Sequence, residues 1–456
     1  MIRPDNHTTH MRSILRLGLP LIGGHLAQFA IGLTDTIMMG WYGVPELAAL
    51  TLAGSFFFTL FLFGSGFAWA IMPMVARYAA LNDEVQVRRA TRMALWLSII
   101  YALLVLPLMW FSGAILTAIG QTEQIAQMAQ VYLRTLAFGM LPALGVMVMK
   151  SYLAGLEHTR VVLWITIVAA GANALVNYML IFGNWGAPEM GIAGAALASV
   201  TVQLVSMGLI VVYAVRILPE HQLFIRFWKP DWDMFGRVFQ LGWPIGLTTL
   251  AEVGLFAASA VLMGWLGTIP LAAHGVALQI ATGAFMIQIG LSNAATVRAG
   301  AALGRGDTPN LLRGAEVVIL LGAIAVVVTV AIFLIFPVSL MGFFIDPADP
   351  DRDAIIATGR GLLAMAALFQ VVDAAQVIHL GLLRGLQDTR VPMIVAGVAY
   401  WGVGMPCAWL FGIHLGWGGE GIWLGLVLGL VVAAVLLMHR FWRRSATIVS
   451  RHMALG

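Results

Sequence analysis

Runs of about 20 apolar residues, separated by short polar stretches, recur along the whole chain. Each is long enough to cross a ~30 Å hydrocarbon core as a helix rising about 1.5 Å per residue. Twelve spans are predicted, at approximately 15–40, 47–76, 92–112, 130–155, 162–183, 191–215, 236–264, 272–302, 315–342, 354–385, 391–413 and 419–440. Lipid offers the backbone no hydrogen-bonding partner, so these segments must be helical. The expected fold is an all-α membrane protein.

The longest polar connector, residues 216–237, divides the chain near its middle. It suggests an N-terminal six-helix lobe over 1–215, a cytoplasmic linker over 216–235 and a C-terminal six-helix lobe over 236–456. The halves repeat one another. A shift of 224 aligns Leu17 to Asp83 with Leu241 to Asp307 without a gap, giving 17 identities in 67 pairs. Among them are Pro20/Pro244, Met39-Gly40-Trp41/Met263-Gly264-Trp265 and Asp83/Asp307, a mixture that shared apolar composition does not produce. A shift of 230 pairs Leu153 to Val161 with Leu383 to Val391. With an even number of spans per half, both halves enter the membrane in the same orientation and are related by a parallel pseudo-twofold axis along its normal. Two such bundles facing each other would form a central cleft that opens alternately to either side, which is transporter architecture.

At 61% hydrophobic and 10% charged residues the composition lies far from that of soluble globular domains. The net charge of +4 does not point to nucleic acid, because the basic residues sit at span ends and in loops rather than along an aromatic-interleaved stripe. All 25 except Arg134, Arg352 and Arg360 collect on one side, from Arg3 through Arg88, Arg89, Arg92, Lys150, Arg384 and Arg390 to Arg451. Glu46, Glu123, Glu189, Asp346, Asp349, Asp351, Asp353 and Glu420 mark the other. The bias places both termini in the cytoplasm of a bacterial-type inner membrane. A lone cysteine, Cys407, rules out an intrachain disulfide, and the polar first 13 residues carry no cleavage signal, so no signal peptide is expected. HExxH, GxSxG and GxxxxGK[ST] are absent and no loop is large enough for a nucleotide-binding domain. Neither an enzyme nor an ATP-driven pump is expected from this chain.

Three acids lie well inside spans: Asp35, Glu252 and Asp373. An aspartate at mid-membrane costs about 2.5–3.5 kcal/mol even on insertion scales, which makes each a functional candidate ahead of a protonated packing residue. By the repeat, Asp35 corresponds to Ser259 and Glu252 to Gln28, positions one heptad apart that share a helix face. Each acid should therefore face the interior of its own half while the sister half keeps a neutral polar group. Asp373 has Ala143 as its counterpart. Asn173 and Asn177, four apart, offer amides that could complete a site with Asp35, with interhelical hydrogen bonding as the plainer alternative. Ser199 is a weaker addition. His274 and His379 read as core histidines, since no partner stands at metal-ligand spacing. Phe256, Phe285, Met286 and Phe369 are lipid-facing or core by default, with the option of a soft wall for bulky apolar cations.

Leu17-Gly-Leu-Pro20, Asp35-Thr-Ile-Met-Met-Gly40, Leu153-Ala-Gly-Leu156 with Thr159-Arg160, Asn173 with Asn177, Ala251-Glu252-Val253, and Asp373 leading to Leu383-Arg-Gly-Leu386 and Asp388-Thr-Arg390 together resemble the multidrug and toxic compound extrusion (MATE) family, in its bacterial NorM-like branch. The resemblance covers essentially the whole chain. It implies export of organic cations and other amphiphiles against H⁺ or Na⁺, with no cofactor. It also implies a cation site at Glu252 and Asp373 in the C-terminal lobe and a polar cluster of Asp35, Asn173 and Asn177 in the N-terminal lobe. No metal cluster is assigned; Na⁺ at Glu252 and Asp373 is the one metal option. The NorM-like pattern has a tyrosine four residues before the tenth-span acid. Here that position is Phe369, which removes one oxygen ligand and, with the like-charged acid pair, favours H⁺. The expected partners are small amphiphilic or cationic molecules and the lipid bilayer, and the expected state is a monomer. The alternative within the same superfamily is a flippase for lipid-linked precursors, which would want a cationic cavity. A lipid-modifying membrane enzyme and a non-transporting scaffold are the readings from other classes.

Overall fold

The computed structural model describes residues 7–455, without the side chains at 44, 446 and 448–455; Arg3 and the Arg451 side chain, both counted in the charge bias, lie outside the described residues. Among the described residues, twelve helices are long and apolar enough to span a membrane: α1 His7–Tyr42, α2 Pro45–Ala80, α3 Glu84–Trp110, α4 Glu123–Gly155, α5 Thr159–Phe182, α6 Gly191–Ile217, α7 Trp232–Leu266, α8 Thr268–Arg305, α9 Thr308–Ile335, α10 Arg352–Gly385, α11 Arg390–His414 and α12 Gly418–Ser445. Several begin before the spans read from hydropathy, as α3 and α4 do. Apolar windows register only the length that lipid must cover, whereas the backbone ladder continues until a cap ends it. Asp83 provides such a cap for α3, its carboxylate accepting from the Gln86 N–H, and Asp307 repeats it for α9 on the Asn310 N–H. Each cap contributes about 1 kcal/mol.

The chain forms two compact units: Gly23–Gly246, and the stretch ending at Ile22 together with Leu247–Gly456. The division falls inside α1 and α7 rather than in the connector, so the first part of each of these helices belongs to the unit opposite to the rest of it. In the first unit α2 packs on α4 and α4 on α6; in the second α8 packs on α10 and α10 on α12. The repeat in sequence is thus a repeat in packing.

The connector is not a loose tether. Between Ile217 and Trp232 it lies along α3, where Arg92 donates from Nε to the Leu223 carbonyl and from a terminal nitrogen to that of Gln222, both at 2.5 Å. Trp96 donates to the Phe227 carbonyl at 2.9 Å and stacks on its ring. Arg89 pairs with Asp231, and the buried His221 meets the Tyr152 hydroxyl at 2.5 Å. Arginines counted in the charge bias therefore also hold the connector in place.

α11 is irregular: a π-helical stretch at Val398–Gly404, a short α-helical turn at Met405–Trp409, and a second π-helical stretch at Leu410–His414. Pro406 lacks the N–H that would continue the ladder back to residue 402, which accounts for the widening just before it. α12 accommodates this by close approach. A side chain at Gly429 would meet the Gly404 Cα at 2.7 Å, and one at Gly425 would run into the Ala408 backbone. Small residues are the means by which helices pack tightly where lipid supplies no hydrophobic drive.

Candidate functional site

Each unit carries a polar cluster built around intramembrane acids, Asp35 in the first and Glu252 with Asp373 in the second. In Gly23–Gly246 the half-buried Asp35 of α1 accepts from Asn177 Nδ2 of α5 at 2.5 Å. The same amide nitrogen reaches Asn173 Oδ1 at 3.2 Å. One turn apart on a regular helix, the two asparagines share a face, and both are fully buried. Tyr132 of α4, also buried, is an electrostatic neighbour of Asp35, and its hydroxyl is approached by Ser199 of α6. The carboxylate is thus met from α5 and lies near Tyr132 of α4, which in turn meets Ser199 of α6, and each of these uncharged side chains is able to donate. Such a cluster can stabilise the carboxylate, pass it a proton, or present it to a cation.

In the second unit Glu252 of α7 and Asp373 of α10 are electrostatic neighbours, and Asp373 is 2% exposed. Arg384, in the last turn of α10, acts on Glu252 as the opposing charge. This arginine is half-buried rather than purely a loop residue. Tyr400, in the first π-helical stretch of α11, is fully buried within electrostatic reach of Glu252, Asp373 and Arg384. Gln376, one turn beyond Asp373, donates from Nε2 to the Tyr400 hydroxyl at 2.6 Å. The Oδ1 of Asp373 and the Oε1 of Gln376 are buried acceptors without a protein donor.

Phe369, one turn before Asp373 on α10, is buried. Its ring packs against Phe256 at 5.6 Å and Trp423 at 5.7 Å between centroids, inside the apolar core of this unit. Ser259, the counterpart of Asp35, donates to the Phe256 carbonyl at 2.7 Å. His274 accepts at Nδ1 from the Trp423 indole N–H at 3.1 Å, so its proton is carried on Nε2, which faces Ser259 at 3.5 Å. The position that holds an acid in the first unit thus opens a neutral hydrogen-bonded chain in the second. His379 bonds at Nδ1 to the Ala375 carbonyl and packs its ring on Phe441. Phe285 is half-buried on α8.

Residues 20–179 and 244–410 match the model of the MatE family. This chain belongs to the MATE family. Its curated MATE relatives include one named a probable multidrug resistance protein NorM from Rhizobium meliloti (strain 1021), 47% identical over 95% of this chain and 94% of the relative. A protein of the same name from Synechocystis sp. is 32% identical over 94% of each. A crystal structure of a eukaryotic MATE transporter superposes with a TM-score of 0.87 at 18% identity, covering 98% of this chain and 100% of that one. A MOP-superfamily transporter from Pyrococcus furiosus, described as having a binding pocket of reversed polarity, gives 0.85 at 20% identity over 96% of each. The fold is that of MATE transporters.

Sequence reasoning singled out the three acids and the asparagine pair of this MATE chain. It missed Tyr132, Gln376 and Tyr400. A tyrosine or glutamine inside a span costs too little to stand out beside an aspartate, and only contact with an acid distinguishes it. Gln376 offered one usable signal: it stands three residues from Asp373, on the same helix face.

Proposed function

We propose that the protein is a multidrug efflux antiporter, exporting organic cations and other amphiphilic compounds in exchange for H⁺ by alternating access. The observation that carries this reading is the Glu252–Asp373 pair: two carboxylates in one buried cluster, with Arg384 as the opposing charge. A pair of this kind takes up a proton or other small cation readily and releases it when an organic cation competes for the same negative charge. Competition alone couples the fluxes, provided the ion binds one facing state better than the other, because equal affinity for both would shift nothing. Each net charge that crosses a potential of ~100 mV contributes about 2.3 kcal/mol to the work of export. The acids also weigh against a lipid-linked phosphate as substrate. We place the protein in a bacterial inner membrane with both termini cytoplasmic, in accord with the basic residues at one set of span ends.

The test is efflux of a fluorescent organic cation from proteoliposomes, driven separately by a pH gradient and by a Na⁺ gradient. Efflux driven by the pH gradient without Na⁺ is expected. Efflux that needs Na⁺ and ignores pH would reassign the coupling ion, and product formation without any gradient would point to a membrane enzyme instead.

A further inference from the structure

Glu252, Asp373, Gln376 and Tyr400 belong to one cluster of the second unit, and the hydrogen bond seen within it has a fixed direction. Gln376 Nε2 donates to the Tyr400 hydroxyl oxygen at 2.6 Å. An oxygen that accepts in this way keeps its own O–H free to donate, and the carboxylates of Glu252 and Asp373 are the acidic groups within its electrostatic reach. At the other end, Gln376 Oε1 and Asp373 Oδ1 are both buried acceptors without a protein donor, on neighbouring turns of one helix face. Two acceptors cannot satisfy each other unless one carries a proton. A proton on Asp373 turns its carboxyl into the donor that Gln376 Oε1 lacks, whereas a proton on Glu252 would leave both acceptors unmet.

We propose that Gln376 and Tyr400 are positioning residues that join the two acids into one site for a single proton, running from protonated Asp373 through the Gln376 amide and the Tyr400 hydroxyl to ionised Glu252. The inference rests on proton coupling as proposed above. Glu252 keeps its charge because Arg384 opposes it; Asp373 takes the proton because Gln376 accepts it. The two acids thus act as one unit, and the site changes by one charge per cycle. The surroundings favour this division. From α7 comes Glu252, from α10 Asp373 and Arg384, and from α11 Tyr400. α8 contributes His274, which is engaged with Trp423 of α12, while Glu316 of α9 and Glu420 and His439 of α12 are exposed. The π-helical widening of α11 brings Tyr400 to this face, in keeping with the frequent use of such bulges at functional sites.

The experiment is infrared difference spectroscopy of the purified, reconstituted full-length protein on addition of a fluorescent organic cation, alongside pH profiles of efflux. Wild type should lose one protonated-carboxyl C=O band on substrate addition. The band should be absent in Asp373→Asn, retained in Glu252→Gln, and displaced in frequency in Gln376→Leu and Tyr400→Phe. Loss of a hydrogen bond to a charged group should move the pH of half-maximal efflux in Tyr400→Phe upward by about one unit. Gln376→Leu gives a second reading should Tyr400→Phe fail to accumulate. A band that survives in Asp373→Asn, or one indifferent to both Gln376→Leu and Tyr400→Phe, overturns the chain while leaving pH-driven efflux intact. Na⁺-dependent, pH-indifferent efflux by wild type overturns the coupling reading and the chain with it.

Discussion

Replacing Asn177 by alanine removes the amide that donates to Asp35 at 2.5 Å and, with it, the contact to Asn173. A hydrogen bond to a charged group contributes about 1.5–3 kcal/mol in water-soluble proteins, but interhelical bonds in membranes average about 0.6 and reach about 1.7 kcal/mol. Asn177 is fully buried and its acceptor is a carboxylate, which places this bond near the top of the membrane range, at about 1.5 kcal/mol. One pH unit corresponds to about 1.4 kcal/mol. The pH of half-maximal efflux in Asn177→Ala should therefore rise by about one unit, since the lost donor had favoured the ionised carboxylate. The assay is efflux by the single variants Asn177→Ala and Asp35→Asn and by the double variant, at matched protein levels from pH 6 to 8. If the bond carries the effect, adding Asn177→Ala to Asp35→Asn changes little. Additive effects, or an unmoved profile in Asn177→Ala, would refute the assignment of this amide to Asp35.

Asp373→Asn should insert normally, because removing a buried acid lowers the insertion cost, yet lose gradient-driven efflux; normal efflux at wild-type abundance would remove Asp373 from the site. Arg92→Ala should lower thermal stability by about 1–3 kcal/mol through two lost bonds to connector carbonyls, and an unchanged melting curve would show that the connector is held without it. Burial lowers the proton affinity of His221, outside the spans, below the ordinary histidine range. The contribution of its contact with Tyr152 is thus complete above about pH 6.5 and lost as pH falls towards the folded-state value. Hydrogen exchange at residues 218–231, corrected for its intrinsic pH dependence, should quicken between pH 7 and 5, and a flat response would contradict the sign. Cysteines at 390 and in the loop 346–353 should label from opposite sides of the membrane, with position 390 reached from the cytoplasm; outside labelling at 390 would reverse the topology.

The fold was legible because lipid imposes length: an apolar run either spans or does not, and twelve did. The repeat was legible because Gly, Pro, Trp and Asp at fixed offsets do not arise from composition. The acids showed themselves by their cost. Other features left weaker traces. Arg88, Arg89 and Arg92 looked like topology markers because loop charge is what the positive-inside bias counts, and nothing in their spacing reveals that Arg89 and Arg92 grip a segment more than 120 residues away. The boundary between the compact units crosses α1 and α7 without a break in hydropathy, since a helix that changes neighbours does not change solvent. Tyr400 was hidden by the register of α11, which a 3.6-residue period misreads where the turn widens.

That widening also bears on how duplicated halves diverge. α5 and α11 occupy equivalent places in the repeat, and α5 is a regular helix whose asparagines serve Asp35. Their counterparts at a shift of 230 are Val403 and Cys407, which bring no amide. A π-turn rotates the succeeding turns relative to the parent helix while leaving both ends anchored. The second half could thus exchange one set of ion-facing residues for another without relocating a span, the glycines of α12 absorbing the altered contour. A local change of helical pitch lets two copies of one bundle keep the same scaffold and acquire different chemistry.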